Sequence, residues 1–181
     1  MRKLLILTTL FIFIMSSVGL CAVPDTSFKL ADIQVGYTYY NLKATSGGHD
    51  LGNTRFNEIY GTVSFLGLGA FATHFHSGNT FYTDCGLKAN IFIPNIAVML
   101  GNRHSSPDNN SLFYGLSVNQ DLMDGFGVYG TYQNGRHFSD KNIGITYALS
   151  DNAKLNISWK NLDDKNGQDF KGFGTGITVN F

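Results

Sequence analysis

The side chains best suited to chemistry are a few histidines, carboxylates and cations set two or four residues apart in stretches of small and apolar residues. His74 and His76 are separated by one residue, Asp84 and Lys88 by three, and Arg103 stands in the next such stretch. On an extended chain, residues two or four apart share a face. If 77–81 form a five-residue turn, His74 lies opposite Asp84, His76 opposite Tyr82, and Arg103 diagonal to Asp84. Imidazole, carboxylate and guanidinium held together in a lumen bind an anion or constrict a pore. Two histidines and one carboxylate also suit a metal ion. The plainer account is structural, because charges inside a narrow space must be paired. With no glycine-rich phosphate motif, EF-hand loop or cysteine metal spacing in the sequence, no metal and no cofactor is expected.

His137 and Ser139, in "RHFSD", form a second constellation. Serine hydrolysis needs a nucleophile, a histidine base and an acid to orient the base. By the parity of Ile143 and Ile145, His137 and Ser139 fall on an apolar face. The acid is hard to find: Glu58 is the only glutamate and belongs to another segment, and Asp151 stands in a turn at the far end. "RHSSPD" (His104, Ser105, Ser106) is a weaker match. No catalytic residue is therefore assigned.

The elements that position these groups are strands. Charged residues are 14% of the chain, against roughly 25% in ordinary soluble proteins, while Gly, Tyr, Phe, Asn and Thr are abundant. Residues 1–22 read as a signal peptide: Arg2 and Lys3, then "LLILTTLFIFIM", then a cut near Cys21 or Ala22. Without Arg2 and Lys3, the 13 basic residues fall to eleven against 13 acidic ones. That balance argues against nucleic acid as a partner. The mature chain, 23–181, would keep only Cys85 and so no internal disulfide.

From residue 31 onward, apolar and polar residues alternate with period two. Ten segments follow: 31–41, 55–66, 69–76, 82–93, 96–104, 111–119, 125–134, 138–149, 154–162 and 171–181. Eight remain possible if the short third segment merges with a neighbour. Connections are expected to be short at one end ("PN" at Pro94–Asn95, "SDNA") and longer at the other ("LKATSGGHDLGNT", "HSSPDNN"), the pattern of outer-membrane barrels. Aromatics on the apolar face fall in two groups, Tyr39, Phe75, Tyr114 and Tyr132 near the loops and Phe65, Phe71, Phe126 and Phe181 near the turns, as interfacial girdles require. The large apolar residues of ten strands would not fit inside a barrel of this size. They must face lipid, leaving Gly, Asn, Thr, Ser and some Tyr inside, with Lys88, Lys160 and Lys171 on the luminal parity. The fold expected is all-β, an antiparallel up-and-down transmembrane β-barrel.

The last residues, "GFGTGITVNF", resemble the C-terminal strand that the barrel-assembly machinery recognises. Phe181 is terminal, hydrophobics such as Val179 alternate before it, and Gly176 stands five residues from the end. Taken whole, 30–181 resembles the small outer-membrane barrels, the porin-like and OmpX/OmpW/YfaZ-like proteins. "RHFSD" is similar to the His-x-Ser element of the lipid A 3-O-deacylases, although Asp140 stands where that family has Asn. The barrel resemblance implies a bacterial outer-membrane location, with outer-membrane lipid, lipopolysaccharide and, in biogenesis, the assembly machinery as partners. It implies no particular activity. The leading expectation is a non-enzymatic barrel, either a narrow channel for small solutes or an envelope-structural element. A lipid A hydrolase using His137 and Ser139, or a surface-binding protein acting through its loops, are the alternatives.

Overall fold

The computed structural model describes residues 31–91, 95–106, 109–165 and 167–181; the expected signal peptide and Pro94 lie outside them. Ten strands follow in chain order: β1 (Ala31–Ser46), β2 (His49–Phe65), β3 (Leu68–Ser77), β4 (Thr80–Asn90), β5 (Ile96–Ser105), β6 (Asn109–Asp121), β7 (Phe126–Gly135), β8 (Phe138–Ser150), β9 (Ala153–Asp164) and β10 (Gln168–Asn180). Each pairs antiparallel with its neighbours in sequence, and β10 closes on β1. The closing ladder runs from Gln34↔Asn180 to Ser46↔Gln168. Followed once around, the ladder that leaves β1 at Gln34 returns at Ser46, a stagger of twelve residues. A stagger of that size requires strands tilted by about 35–45° to the axis.

The alternation in sequence becomes an inside-out barrel. Leu87 is 68% exposed on the outer surface, whereas Asp84, on the same strand and the opposite parity, is 3% exposed in the lumen. Ile33, Val35, Ile59, Val63, Leu100, Leu116, Ile145 and Phe173 are likewise exposed, and Gln34, Thr38, Thr62, Asn142, Asn156 and Thr178 are buried. In a soluble barrel this arrangement would set a wide apolar surface against water. In lipid it satisfies the backbone by closure and the outer face by contact with hydrocarbon.

Among the described residues, connections are tight at both ends, which corrects the expectation of long loops at one of them. Most of 42–54 is strand, interrupted only at Gly47 and Gly48, whose φ values of 56° and 82° are the consecutive left-handed pair that a two-residue hairpin turn needs. We call the end carrying the β1–β2 turn the upper end; β1 starts and β10 finishes at the lower end.

Glycines on the luminal parity let the lumen fill. A Cβ on Gly174 would meet the Tyr40 ring at 2.4 Å, and one on Gly144 the Tyr129 ring at 2.5 Å. Those rings therefore occupy the space a side chain would take. Gly86 and Gly101 face one another across β4 and β5, and a Cβ on Gly86 would come within 2.3 Å of the Leu100 carbonyl oxygen.

Candidate functional site

The site is a belt of buried charge inside the barrel. Arg103 on β5 donates from Nε to Asp84 Oδ1 at 2.6 Å and from Nη2 to Asp84 Oδ2 at 2.7 Å, a two-pronged pair with its neighbour on β4. The same Nη2 reaches across the lumen to Asp140 Oδ2 on β8 (3.1 Å) and to Gln133 Oε1 on β7 (3.0 Å). Lys160 Nζ on β9 lies 3.2 Å from Asp140 Oδ2 and donates to Glu58 Oε2 on β2 at 2.9 Å. Five charged side chains thus run in one chain across the lumen, in the order Asp84, Arg103, Asp140, Lys160, Glu58.

Each strand supplies its charge by parity and covers it by the next luminal residue. Phe56 stands one luminal step above Glu58, Leu162 above Lys160, and Phe138 above Asp140, and all three are almost fully buried. Phe138 lies under the guanidinium carbon of Arg103 at 3.7 Å from its centroid, and Phe75 lies 4.9 Å from Lys160 Nζ. Phe56 stacks on Phe75 at 4.3 Å and meets Phe170 edge-on at 5.0 Å. Rings and cations reinforce one another here, since a desolvated cation over an aromatic face is a favourable contact. The upper end of the lumen is therefore an apolar plug resting on a paired charge network.

Below the plug lies a cavity of about 80 Å³, lined by the belt together with Thr62, Lys88, Met99, Ser117 and Asn142 among others. Its charged lining is balanced, with Glu58, Asp84 and Asp140 against Lys88, Arg103 and Lys160, so it has no fixed charge to concentrate ions of one sign. Arg103 Nη1, Asp140 Oδ1, Thr62 Oγ1 and Asn142 Oδ1 are buried without a protein partner. Orphans of both kinds, donor and acceptor, in a space this large match ordered water better than an ion.

Of the residues singled out from sequence, Asp84, Arg103 and Lys88 are luminal, and Asp84 and Arg103 are in contact. His74 and His76 are not. The β3–β4 ladder pairs His74 with Thr83 and His76 with Phe81, while Thr73 faces Asp84. His74 Nδ1 lies 2.9 Å from Thr83 Oγ1, and the two imidazoles stack 5.2 Å apart on the outer surface. The connection expected over 77–81 is in fact the two residues Gly78–Asn79, with Gly78 at φ 54°. With it, Phe71, Thr73 and Phe75 turn inward, and Ala70, Ala72 and the histidines face out.

Phe71 and Phe75 therefore leave the expected girdles, while Phe65, Phe126, Phe181, Tyr114 and Tyr132 are exposed as expected. Lys171 also moves, to the outer face opposite Lys43. Asp140 and Glu58, which complete the belt, were not read as site residues. Their signal was available, since both stand two residues from other luminal polar or aromatic side chains. Among the described residues no group of three or more His, Cys, Asp or Glu is arranged to hold a metal.

The second constellation is split between a turn and a strand. Ser139 is on the outward parity, opposite Asn134 and Asp163. His137, in the β7–β8 turn, lines a small inward crevice with Ser111, Phe138 and Asp164. Of the assembly residues, Gly176 and Val179 sit in the closing ladder, and the Phe181 N–H donates to the Ile33 carbonyl at 2.8 Å.

No family model matches the sequence, and no curated protein matches it. Among solved structures, the chain is similar to Ail, the attachment invasion locus protein of Yersinia pestis, at 13% identity and a TM-score of 0.41, covering 84% of this chain and 100% of that one. It is similar to the KdgM porin at 8% identity and a TM-score of 0.44, covering 83% and 99%. Neisserial surface protein A aligns at 16% identity and a TM-score of 0.40, covering 84% and 98%. The chain itself folds as a closed, ten-stranded antiparallel β-barrel with an apolar outer face.

Proposed function

We propose that this chain is a bacterial outer-membrane barrel with a closed lumen, acting as an envelope-structural element and not as a diffusion pore or an enzyme. One observation carries the reading: the buried chain of Asp84, Arg103, Asp140, Lys160 and Glu58 links β4 and β5 to β8 and β9 and on to β2, beneath the plug of Phe56, Phe75 and Phe170. A solute crossing the lumen has to part these groups, and the cavity of about 80 Å³ beneath them holds a few waters and little else. The placement of His137 in the β7–β8 turn, with Ser139 on the outward parity of β8, favours the non-enzymatic reading over a hydrolase.

Planar-bilayer recording of the refolded mature chain is the direct test. We expect a silent bilayer from the wild-type protein and stepwise conductance from a Phe56→Ala/Phe75→Ala/Arg103→Ala/Asp140→Ala variant, which removes both the stacked pair and the link across the lumen. Regular conductance steps from wild type at low voltage would make the protein a channel and defeat the proposal.

A further inference from the structure

Register, more than any single residue, gives the outer face of β7 to β10, β1 and β2 a banded character. Three successive ladder rows cross these strands. The lowest runs Ile143, Trp159, Phe173 on β8, β9 and β10, then Asn41 and Arg55 on β1 and β2. One luminal-to-outer period higher, the row reads Tyr132, Lys141, Asn161, Lys171, Lys43, Asn53. The uppermost carries Asp163 opposite Asp169, then Thr45 and Asp50. On β8, β9 and β10 the apolar positions Ile143, Trp159 and Phe173 are thus followed toward the upper end by Lys141, Asn161 and Lys171 and then by Ser139, Asp163 and Asp169, and with the strand tilt each row climbs from β8 to β1.

Lys43 and Lys171 are directly paired across β1 and β10, and both are exposed. Like charges opposite one another destabilise a sheet, so this pairing asks for an anion between them. Lys43 also meets Asp50 at 2.7 Å, but both members of that pair are more than half exposed, and such pairs are weakly held and screened. The Lys43 ammonium and the Gly52 N–H both bond Asp50. The basic row stands immediately above Trp159 and Phe173, at the level where aromatic rings mark the edge of hydrocarbon and lysine ammonium groups reach headgroups.

We propose that this row is a binding site for the headgroup of a lipid bearing two phosphates. One phosphate sits between Lys43 and Lys171. The second sits at Lys141, two strands from Lys171 and so about 10 Å away. Acyl chains lie along Ile143, Trp159 and Phe173, and Asp163 and Asp169 bound the phosphates on the upper side. This rests on the transmembrane reading, since in a water-soluble protein the same rows would face solvent.

The test is native mass spectrometry of the detergent-purified mature barrel titrated with diphosphoryl lipid A and, separately, with monophosphoryl lipid A. Wild type should retain the diphosphoryl form about tenfold better than the monophosphoryl form. K43Q/K141Q/K171Q should lose that preference, and K43R/K141R/K171R, which keeps the charge, should retain it. Equal retention of the two lipids by wild type, or an undiminished preference in the glutamine variant, overturns the site. Should the glutamine variant fail to fold, the wild-type lipid comparison and the arginine variant still decide. Insertion into vesicles with a heat-modifiable gel shift is scored on the same samples; its failure in wild type would instead overturn the membrane placement.

Discussion

Replacing Arg103 by methionine isolates what the charge belt contributes. The guanidinium is about 5% exposed and makes both of its short bonds, 2.6 and 2.7 Å, to Asp84, which is itself 3% exposed. Methionine fills much of the same volume but strands the Asp84 carboxylate, whereas Asp140 keeps Lys160 at 3.2 Å. Breaking a buried pair by removing one partner costs about 3–5 kcal/mol, and losing the Phe138 contact adds about 1–2 kcal/mol. The two overlap, so we expect a loss of about 4 kcal/mol in all. R103M/D84L removes the stranded charge as well and should recover most of that, since apolar replacement of a buried pair is close to neutral.

The chain has a single tryptophan, Trp159, on the outer face. Its fluorescence reports urea unfolding of the barrel from lipid vesicles. With a slope of about 1–3 kcal/mol per molar urea, R103M should lower the midpoint by about 1–4 M. His74→Ala, which touches only Thr83 and its neighbours on the outer surface, serves as the control and should change stability by no more than about 0.5 kcal/mol. Two results would refute the reasoning: R103M unfolding with the control, or R103M/D84L proving no more stable than R103M alone.

Two further outcomes test the architecture directly. Gly86→Ala drives a methyl into the Leu100 carbonyl and the Gly101 backbone, at 2.3 and 2.7 Å, and fixed backbone cannot yield as a flexible side chain can. It should cost about 1–3 kcal/mol, read as a lowered urea midpoint together with weaker heat modifiability on gels. Cys85 is exposed on the outer face between Leu87 and Thr83. In vesicles it should resist a charged, water-soluble maleimide and react with an apolar one, and urea should abolish the difference. Rapid labelling by the charged reagent in vesicles would mean that this face is wet.

Much of the molecule was legible in its sequence because a strand's faces are a local property. Period two sets Ile33, Val35 and Tyr37 against Asp32, Gln34 and Thr38 whatever the rest of the chain does, and all ten segments are strands. Side-chain volume likewise identified the apolar face as the outward one, since those side chains are too bulky for the lumen.

Partnership is a different kind of fact. Which residues meet across a ladder depends on the length of each turn, and the two-residue turn at Gly78–Asn79 was enough to put Thr73, not His74, opposite Asp84. On β3 the face itself misled, because Phe71 and Phe75 point inward and alanines face outward. Only the closed barrel, with its twelve-residue stagger, decides that Asp140 and Lys160 from β8 and β9 meet Arg103 and Glu58 from β5 and β2. The chain alone dictates which way each side chain faces on most strands. Closure dictates what it faces, because the distance across a lumen is a property of all ten strands at once.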